Sequence, residues 1–317
     1  MACIVEEAAL MMSFQDTGRQ GFRRFGLPAS GPMDWWAFRG ANRLVGNPPG
    51  YACVEIGFSS SLISFMTDGL FAVCGAGYRL FLNNREIPLW MAFVIRGGDQ
   101  LRLVKIPGGN WVYLAAAGGF PSQIWLGSRS VYPRAGLGDL ISQGDQLPII
   151  EAALLRRMAG RSMPMEVRPP YSQYVKIRVI PGPHQDRFIK HSLHTFWHEA
   201  YQVSSRSDRM GYRMKGPVLE HQHRADLISQ GMVLGEIQVP EDGQPIVMMP
   251  DHPTTGGYTC IGTVAKVDLP LIAQAEPLTT NINFIPTFLD DAQAALVDTI
   301  KLLDTPIDQE EEEWLLL

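Results

Sequence analysis

The chain is broken into short apolar runs, and this limits the folds open to it. Between Leu62 and Gly119 six runs follow one another: "LISFMT", "LFAVCGA", "YRLFLNN", "AFVIRGG", "QLRLVKI" and "NWVYLAAAGG". Each is rich in β-branched or aromatic residues, and Gly, Asn, Asp or Pro stand between them. Runs of this length and composition read as strands joined by turns. Asn83-Asn84 in "FLNNREI" predicts a tight hairpin. The 31 glycines and 23 prolines scattered through 317 residues favour many short elements joined by turns over long helices. An antiparallel pattern of this kind curls into a barrel or sandwich.

Helical signals interrupt the strands. "GPMDWWAFRGANRLVGN" offers Asp34 as N-cap, a shared face of Phe38, Ala41 and Val45, and Gly46 just past the end. "IEAALLRRMAG" reads as a second helix and leads into the Pro-rich "RSMPMEVRPPYSQY". "DDAQAALVDTIKLLD" predicts a third, with Asp290 and Gln293 as a capping box and one stripe of Leu289, Ala292, Leu296, Ile300 and Leu303. "DRFIKHSLHTFWHEA" reads as a shorter helix. Strand signals resume in "YVKIRVI", "AYQVSS", "GEIQV", "PIVMM", "GTVAKV" and "INFIP". The expected organisation is a β-rich half over residues 1–150, a helix and Pro-rich linker over 151–171, and a second β-rich half over 172–317 with a terminal helix and acidic tail.

Several function classes lose support at this level. A net charge of −5 gives no electrostatic case for nucleic acid or an anionic membrane. The start "MACIVEEAALMM" has no signal-peptide pattern, and no apolar run reaches the length of a membrane span. Cys3, Cys53, Cys74 and Cys260 are far apart, the pattern of buried free thiols in a reducing cytoplasm. His191, His194 and His198 share one helix face, and His221 and His223 lie close by in sequence. No acidic or thiol partner stands at ligand spacing, so these read as solvated rather than metal-binding. There is no GxxxxGK[ST], and "GAGYRLF" is a turn. The tail from Asp308 to Glu313, followed by Trp314 to Leu317, reads as a frayed terminus.

Three stretches carry chemistry. "SFQDTGRQGFRRFGLPASGPMDWW" is an irregular loop in which Gln15, Arg19 and Asp34 either meet a ligand or tie the loop to its own sheet. "SSRSDRMGYRMKGP" holds Arg209 and Arg213; in an extended strand both face one side, which requires an anionic partner, either substrate or protein carboxylate. "GEIQVPEDGQPIVMMPDHPTTGGYTC" places Gln238 and Gln244 about a hairpin turn, then Asp251, Thr254, Thr255, Gly256, Gly257 and Tyr258. Asp251 is placed to orient an arginine or to act as a base. If the paired glycines take positive φ, their amides converge on an oxyanion.

Taken in order, "QDTGRQGFRRFGLPASGPMDWWAFRGANRLVGN", "YLAAAGGF…LGSRS", "GPHQDRF", "SDRMGYRMKGP" and "GEIQVPEDGQPIVMMPDHPTTGGYTCIGTVAKVDLPLIAQ" resemble the biotin-dependent carboxyltransferase family. That family includes allophanate hydrolase subunit 2, the matching part of urea carboxylase, and the C subunit of 5-oxoprolinase. The resemblance implies a mainly β fold of two cyclophilin-like barrel halves. It implies two partners, a B-like chain (similar to allophanate hydrolase subunit 1) and an A-like chain, and use of ATP by the assembly to open 5-oxoproline to glutamate. The alternatives it carries are carboxyl transfer with biotin from another chain, and regulatory binding of a kinase-inhibitor-like protein. A stand-alone chain fits the 5-oxoprolinase branch, with no covalently bound cofactor and no metal. On this resemblance Arg209, Arg213, Asp251, Thr255 and Tyr258 form the catalytic set, and Gln15, Arg19, Asp34, Gln238, Gln244, Gly256 and Gly257 bind substrate. Two departures from the family pattern stand out: Asp139 where arginine is typical, and His252-Pro253 in the last motif.

Overall fold

The computed structural model describes residues 2–150, 157–305 and 307–309. These group into two compact units. The first takes the described residues of Met1–Arg19, Ser30–Pro169 and Leu303–Leu317; the second takes Gln20–Ala29 and Pro170–Leu302.

In the first unit the strands are β1 (Ala2–Glu7), β2 (Met11–Gln15), β3 (Cys53–Gly57), β4 (Ser61–Phe65), β5 (Gly69–Gly75) and β6 (Tyr78–Leu82). They continue as β7 (Arg85–Ile87), β8 (Ala92–Ile95), β9 (Gln100–Lys105), β10 (Trp111–Ala116), β11 (Gln146–Pro148) and β12 (Arg161–Ser162). One sheet runs β11-β1-β4-β9-β6-β7 and the other β2-β3-β10-β5-β8. Val5, Ile63, Leu80 and Leu101 of the first sheet share one core with Met12, Val54, Val73 and Leu114 of the second. The β6–β7 hairpin turns on Asn83 and Asn84, both at positive φ (48° and 70°), the backbone that Asn tolerates and a two-residue hairpin needs.

Helix α1 (Trp35–Leu44) begins where expected. Asp34 accepts hydrogen bonds from the amides of Trp36 and Ala37, and Gly46 closes the helix at φ 74°. Phe38, Ala41 and Val45 are buried, and Phe38 meets Tyr113 edge-on at 6.1 Å.

The second unit contains β13 (Tyr174–Pro181), β14 (Tyr201–Val203), β15 (Gly211–Lys215), β16 (Asp226–Gly231), β17 (Glu236–Val239), β18 (Ile246–Met248), β19 (Thr255–Val264) and β20 (Asn281–Pro286). The order β13-β20-β14-β15-β18-β17-β19 returns to β13 through the Val179–Val264 register and closes a barrel, with β16 as an extra strand on β19. Helix α2 (Lys190–His198) packs Phe196 flat on Phe284 of β20 at 4.9 Å. Helix α3 (Leu269–Gln274) and helix α4 (Leu289–Leu303) complete the unit's helices. A short strand β21 (Asp308–Gln309) pairs with β12 in the first unit.

Three expectations need adjustment. The helix expected in "IEAALLRRMAG" falls mostly on residues 151–156, outside the described residues, as does most of the acidic tail. Helix α4 starts at Leu289, so Asp290 lies in its first turn, favourable for the helix dipole but not the cap. Leu289 is also 54% exposed, so the buried stripe begins at Ala292, which packs with Ala265 and Val267. Among the described residues no helix is long and apolar enough to cross a membrane, and no cluster of metal-binding side chains is present.

Candidate active site

The stretch that follows Pro253 is strand, not loop. Thr255 starts β19, and Gly256 and Gly257 continue it opposite β16, Gly256 facing Gln230. Neither glycine is among the residues at positive φ, so the expected anion cradle of converging amides is absent: amides of successive strand residues point to opposite edges. The glycines answer a packing demand instead. A Cβ at Gly256 would stand 2.5 Å from the Met232 sulfur and 2.7 Å from Gln238 Nε2, and one at Gly257 would stand 2.9 Å from the Leu227 carbonyl oxygen. Thr255 and Tyr258 are both exposed, but an odd spacing sends them to opposite faces of the strand.

Upstream of the strand lies a buried ion pair. Arg209 Nε donates to Asp251 Oδ2 at 2.7 Å and its Nη2 to Oδ1 at 3.2 Å. The Asp251 amide donates back to the Arg209 carbonyl at 2.9 Å, so backbone and side chain fix the same pair. A two-point contact of this kind sets the direction of the guanidinium as well as its charge.

The expected companion, Arg213, is elsewhere. A turn at Asp208–Gly211, in which Asp208 accepts from the Met210 amide, ends the extended backbone between the two arginines. Arg213 therefore sits on the exposed face of β15, while its neighbours Tyr212 and Met214 are buried. The same-face expectation failed because it assumed an unbroken strand.

His252, next in the chain, is buried, and burial pushes its imidazole below the usual histidine range. Its Nδ1 lies 2.7 Å from the Pro253 carbonyl oxygen, which can only accept. The network thus assigns the proton to Nδ1 and leaves Nε2 as an acceptor. Arg23 Nη1 donates to it at 3.1 Å, and Arg23 Nη2 donates to the Met232 carbonyl. Met232 is tied in turn to Thr254 by an amide-to-carbonyl bond of 3.1 Å. Behind them Gln238 donates to Glu236 Oε1 at 2.9 Å, and the Glu236 Oε2 accepts from the Val233 amide at 3.1 Å. Gln238 is thus buried against Gly256, within the same cluster. Gln244 is not: its amide brackets Gly216, accepting from the Gly216 amide at 3.0 Å and donating to the Gly216 carbonyl at 3.1 Å.

Within the first unit the candidate residues are held in a polar, hydrogen-bonded network. Asp16 Oδ1 accepts from Ser128 Oγ at 2.5 Å, Ser130 Oγ at 2.8 Å and the Gly18 amide at 2.9 Å, and Oδ2 accepts from the Arg129 amide at 2.6 Å. Arg19, 1% exposed, donates to Ser30 Oγ at 3.0 Å and to the Ser130 carbonyl. Gln15 is fully buried and donates to Ser13 Oγ at 2.9 Å. Asp34, 0% exposed, caps α1. These hydrogen bonds tie the loop to its own unit through serine hydroxyls and main chain.

Sequence reasoning passed over Arg23, Met232 and Glu236. The signal for Arg23 was faint: an Arg-Arg pair in "GFRRFG", amid glycines that hide any periodicity.

Residues 25–286 match the family described as "Carboxyltransferase domain, subdomain A and B". The chain is 36% identical over 302 residues to the C subunit of 5-oxoprolinase from Escherichia coli (strain K12), covering 92% of this chain and 93% of that one. It is 34% identical over 284 residues to the C subunit of 5-oxoprolinase from Haemophilus influenzae, covering 88% and 89%. The crystal structure of the K. lactis urea amidolyase superposes with a TM-score of 0.90 at 28% identity, covering 96% of this chain but 20% of that one. The extent of the family match and the near end-to-end similarity to these relatives show that the chain belongs to the carboxyltransferase domain family, subdomains A and B.

Proposed function

We propose that this chain is the C subunit of a 5-oxoprolinase, acting in the cytoplasm with A-like and B-like partner chains to open 5-oxoproline to glutamate at the expense of ATP. The observation that carries this is the reciprocal coverage with the E. coli relative, more than nine-tenths of each chain. Opening the lactam places negative charge on the ring carbonyl oxygen and frees an amine, so the site needs cationic or N–H donors held rigidly. The buried Arg209–Asp251 pair is one rigid cationic element of the second unit. Glycines 256 and 257 have no part in this reading, because their amides belong to β19. ATP binding is assigned to the assembly, since the sequence has no phosphate loop.

The similarity to the urea amidolyase favours a second reading, in which the chain passes a carboxyl group from biotin carried on another chain. One experiment separates them. ATP-dependent glutamate release from 5-oxoproline is measured with the partner chains, in the presence and absence of this chain. Release that requires the chain supports the first reading. Release without it, or carboxylation of urea by the assembly when a biotinylated partner is supplied, sinks it.

A further inference from the structure

Arg23 is held from two sides by neutral acceptors. One is an imidazole whose proton sits on the far nitrogen; the other is a main-chain carbonyl. Among the described residues no carboxylate pairs with it: Asp251, the nearest in sequence to His252, turns both oxygens to Arg209. An arginine has five N–H donors, and two are used here, which leaves three on a half-buried guanidinium whose direction is already fixed. A protein that only needed to bury Arg23 would supply a counter-ion. This one supplies two neutral props and leaves the positive charge uncompensated. That arrangement suits a ligand carboxylate, which accepts two parallel N–H bonds and brings the missing charge.

Arg24, the next residue, makes the contrast. It is exposed and lies over the Phe25 ring at 4.8 Å, with no comparable fixing by hydrogen bonds. Only one of the two adjacent arginines is pre-organised.

We infer that Arg23 receives the carboxylate of the substrate and that His252 is a positioning residue, its unprotonated Nε2 setting the angle of the Arg23 fork. The inference rests on the 5-oxoproline reading and deepens it. 5-Oxoproline carries a carboxylate beside its lactam, whereas urea is uncharged, so a fixed cation without a counter-ion selects the first over the second. It also gives the His252-Pro253 departure a purpose: the imidazole accepts from Arg23, and the carbonyl after it holds the tautomer.

The test uses the full chain assembled with its partner chains. KM and kcat for 5-oxoproline are compared for the unmodified assembly, Arg23→Gln, Arg23→Lys, His252→Ala and His252→Gln. Inhibition by 2-pyrrolidinone, the same lactam ring without the carboxylate, is measured in parallel. Arg23→Gln is expected to raise KM tenfold or more, with kcat within threefold and 2-pyrrolidinone inhibition within twofold. Arg23→Lys, which keeps the charge and loses the fork, should fall between. His252→Ala should raise KM about as much as Arg23→Lys, and His252→Gln, which restores an acceptor, should recover most of it. A KM for Arg23→Gln within twofold of the unmodified assembly overturns the inference and leaves the proposed function standing. An equal loss for both ring compounds also overturns it, since the carboxylate would then not be what Arg23 reads. An unmodified assembly that does not turn over 5-oxoproline overturns the function and the inference together.

Discussion

Arg209 and Asp251 show what burial does to a charge. Their side chains are each 7% exposed and meet through two hydrogen bonds. Removing one partner strands the other in a poorly hydrated site. Arg209→Ala or Asp251→Ala is therefore expected to cost about 3–5 kcal/mol in urea denaturation, and replacing both by apolar residues to cost much less. A loss below 1 kcal/mol for either single change would mean that water reaches the pair. His252 gives a prediction in pH. The charged groups that act on it are the Arg23 guanidinium and the Asp251 carboxylate already bound by Arg209. Burial, the largest influence, lowers its pKa, with the Arg23 charge acting in the same direction. The neutral form thus persists to lower pH than in an unfolded chain, where histidine titrates near 6.5. As pH falls from that value through the lowered one, protonation turns Nε2 into a donor facing Arg23. Any stability tied to the neutral ring is present above the unfolded pKa and is lost over the same fall. KM for 5-oxoproline should rise on the acid side and stay flat above neutrality, and His252→Gln should abolish the acid rise. A Michaelis constant independent of pH in the unmodified protein would contradict this.

At the scale of elements, local chemistry was legible where it is short-ranged. Asp34 caps α1, Asn83-Asn84 turn the β6–β7 hairpin, and Gly243, at φ 70°, turns the chain between β17 and β18. Each depends on residues within a few positions, so the sequence displays the cause directly. Asp34→Ala is expected to destabilise by about 1–2 kcal/mol, read from thermal or urea unfolding, because two N-terminal amides of α1 lose their acceptor. Gly256 and Gly257 misled for the opposite reason. Their pairing suggested positive φ and converging amides, but the approach of Met232, Gln238 and Leu227 decides why glycine is there, and those residues come from other strands or from the segments beside them. Gly182, just past β13, is a second case: a Cβ there would stand 2.6 Å from the Cys260 carbonyl and 2.7 Å from the Gly262 amide, where β13 and β19 close the barrel. Gly182→Ala is expected to cost about 1–3 kcal/mol through this backbone clash, measured as a shift in urea midpoint at constant slope. An unchanged midpoint would show that the closure is loose.

At the scale of the whole molecule, the even scatter of apolar residues becomes two cores, and the four cysteines go into them. All four are free and buried, and burial pushes the Cys3 and Cys260 thiols up to about 12 and raises Cys53 and Cys74 as well. The native protein should therefore react with a thiol reagent at none of these sites at neutral pH, and at all four after unfolding in guanidinium. Fast labelling of any of them in the native protein would refute their burial.

The sequence by itself determined the β-rich class, the start and end of α1, the hairpin turns and the family, because these follow from turn residues, caps, short apolar runs and motif order along the chain. Only the tertiary structure decided which charged groups meet. It parted Arg209 from Arg213 with one turn, gave Asp251 to Arg209, and brought Arg23 to His252 across 229 positions. Periodicity carries information over a few residues, whereas the pairing of distant side chains is set by the strand order and register that closing the barrel imposes.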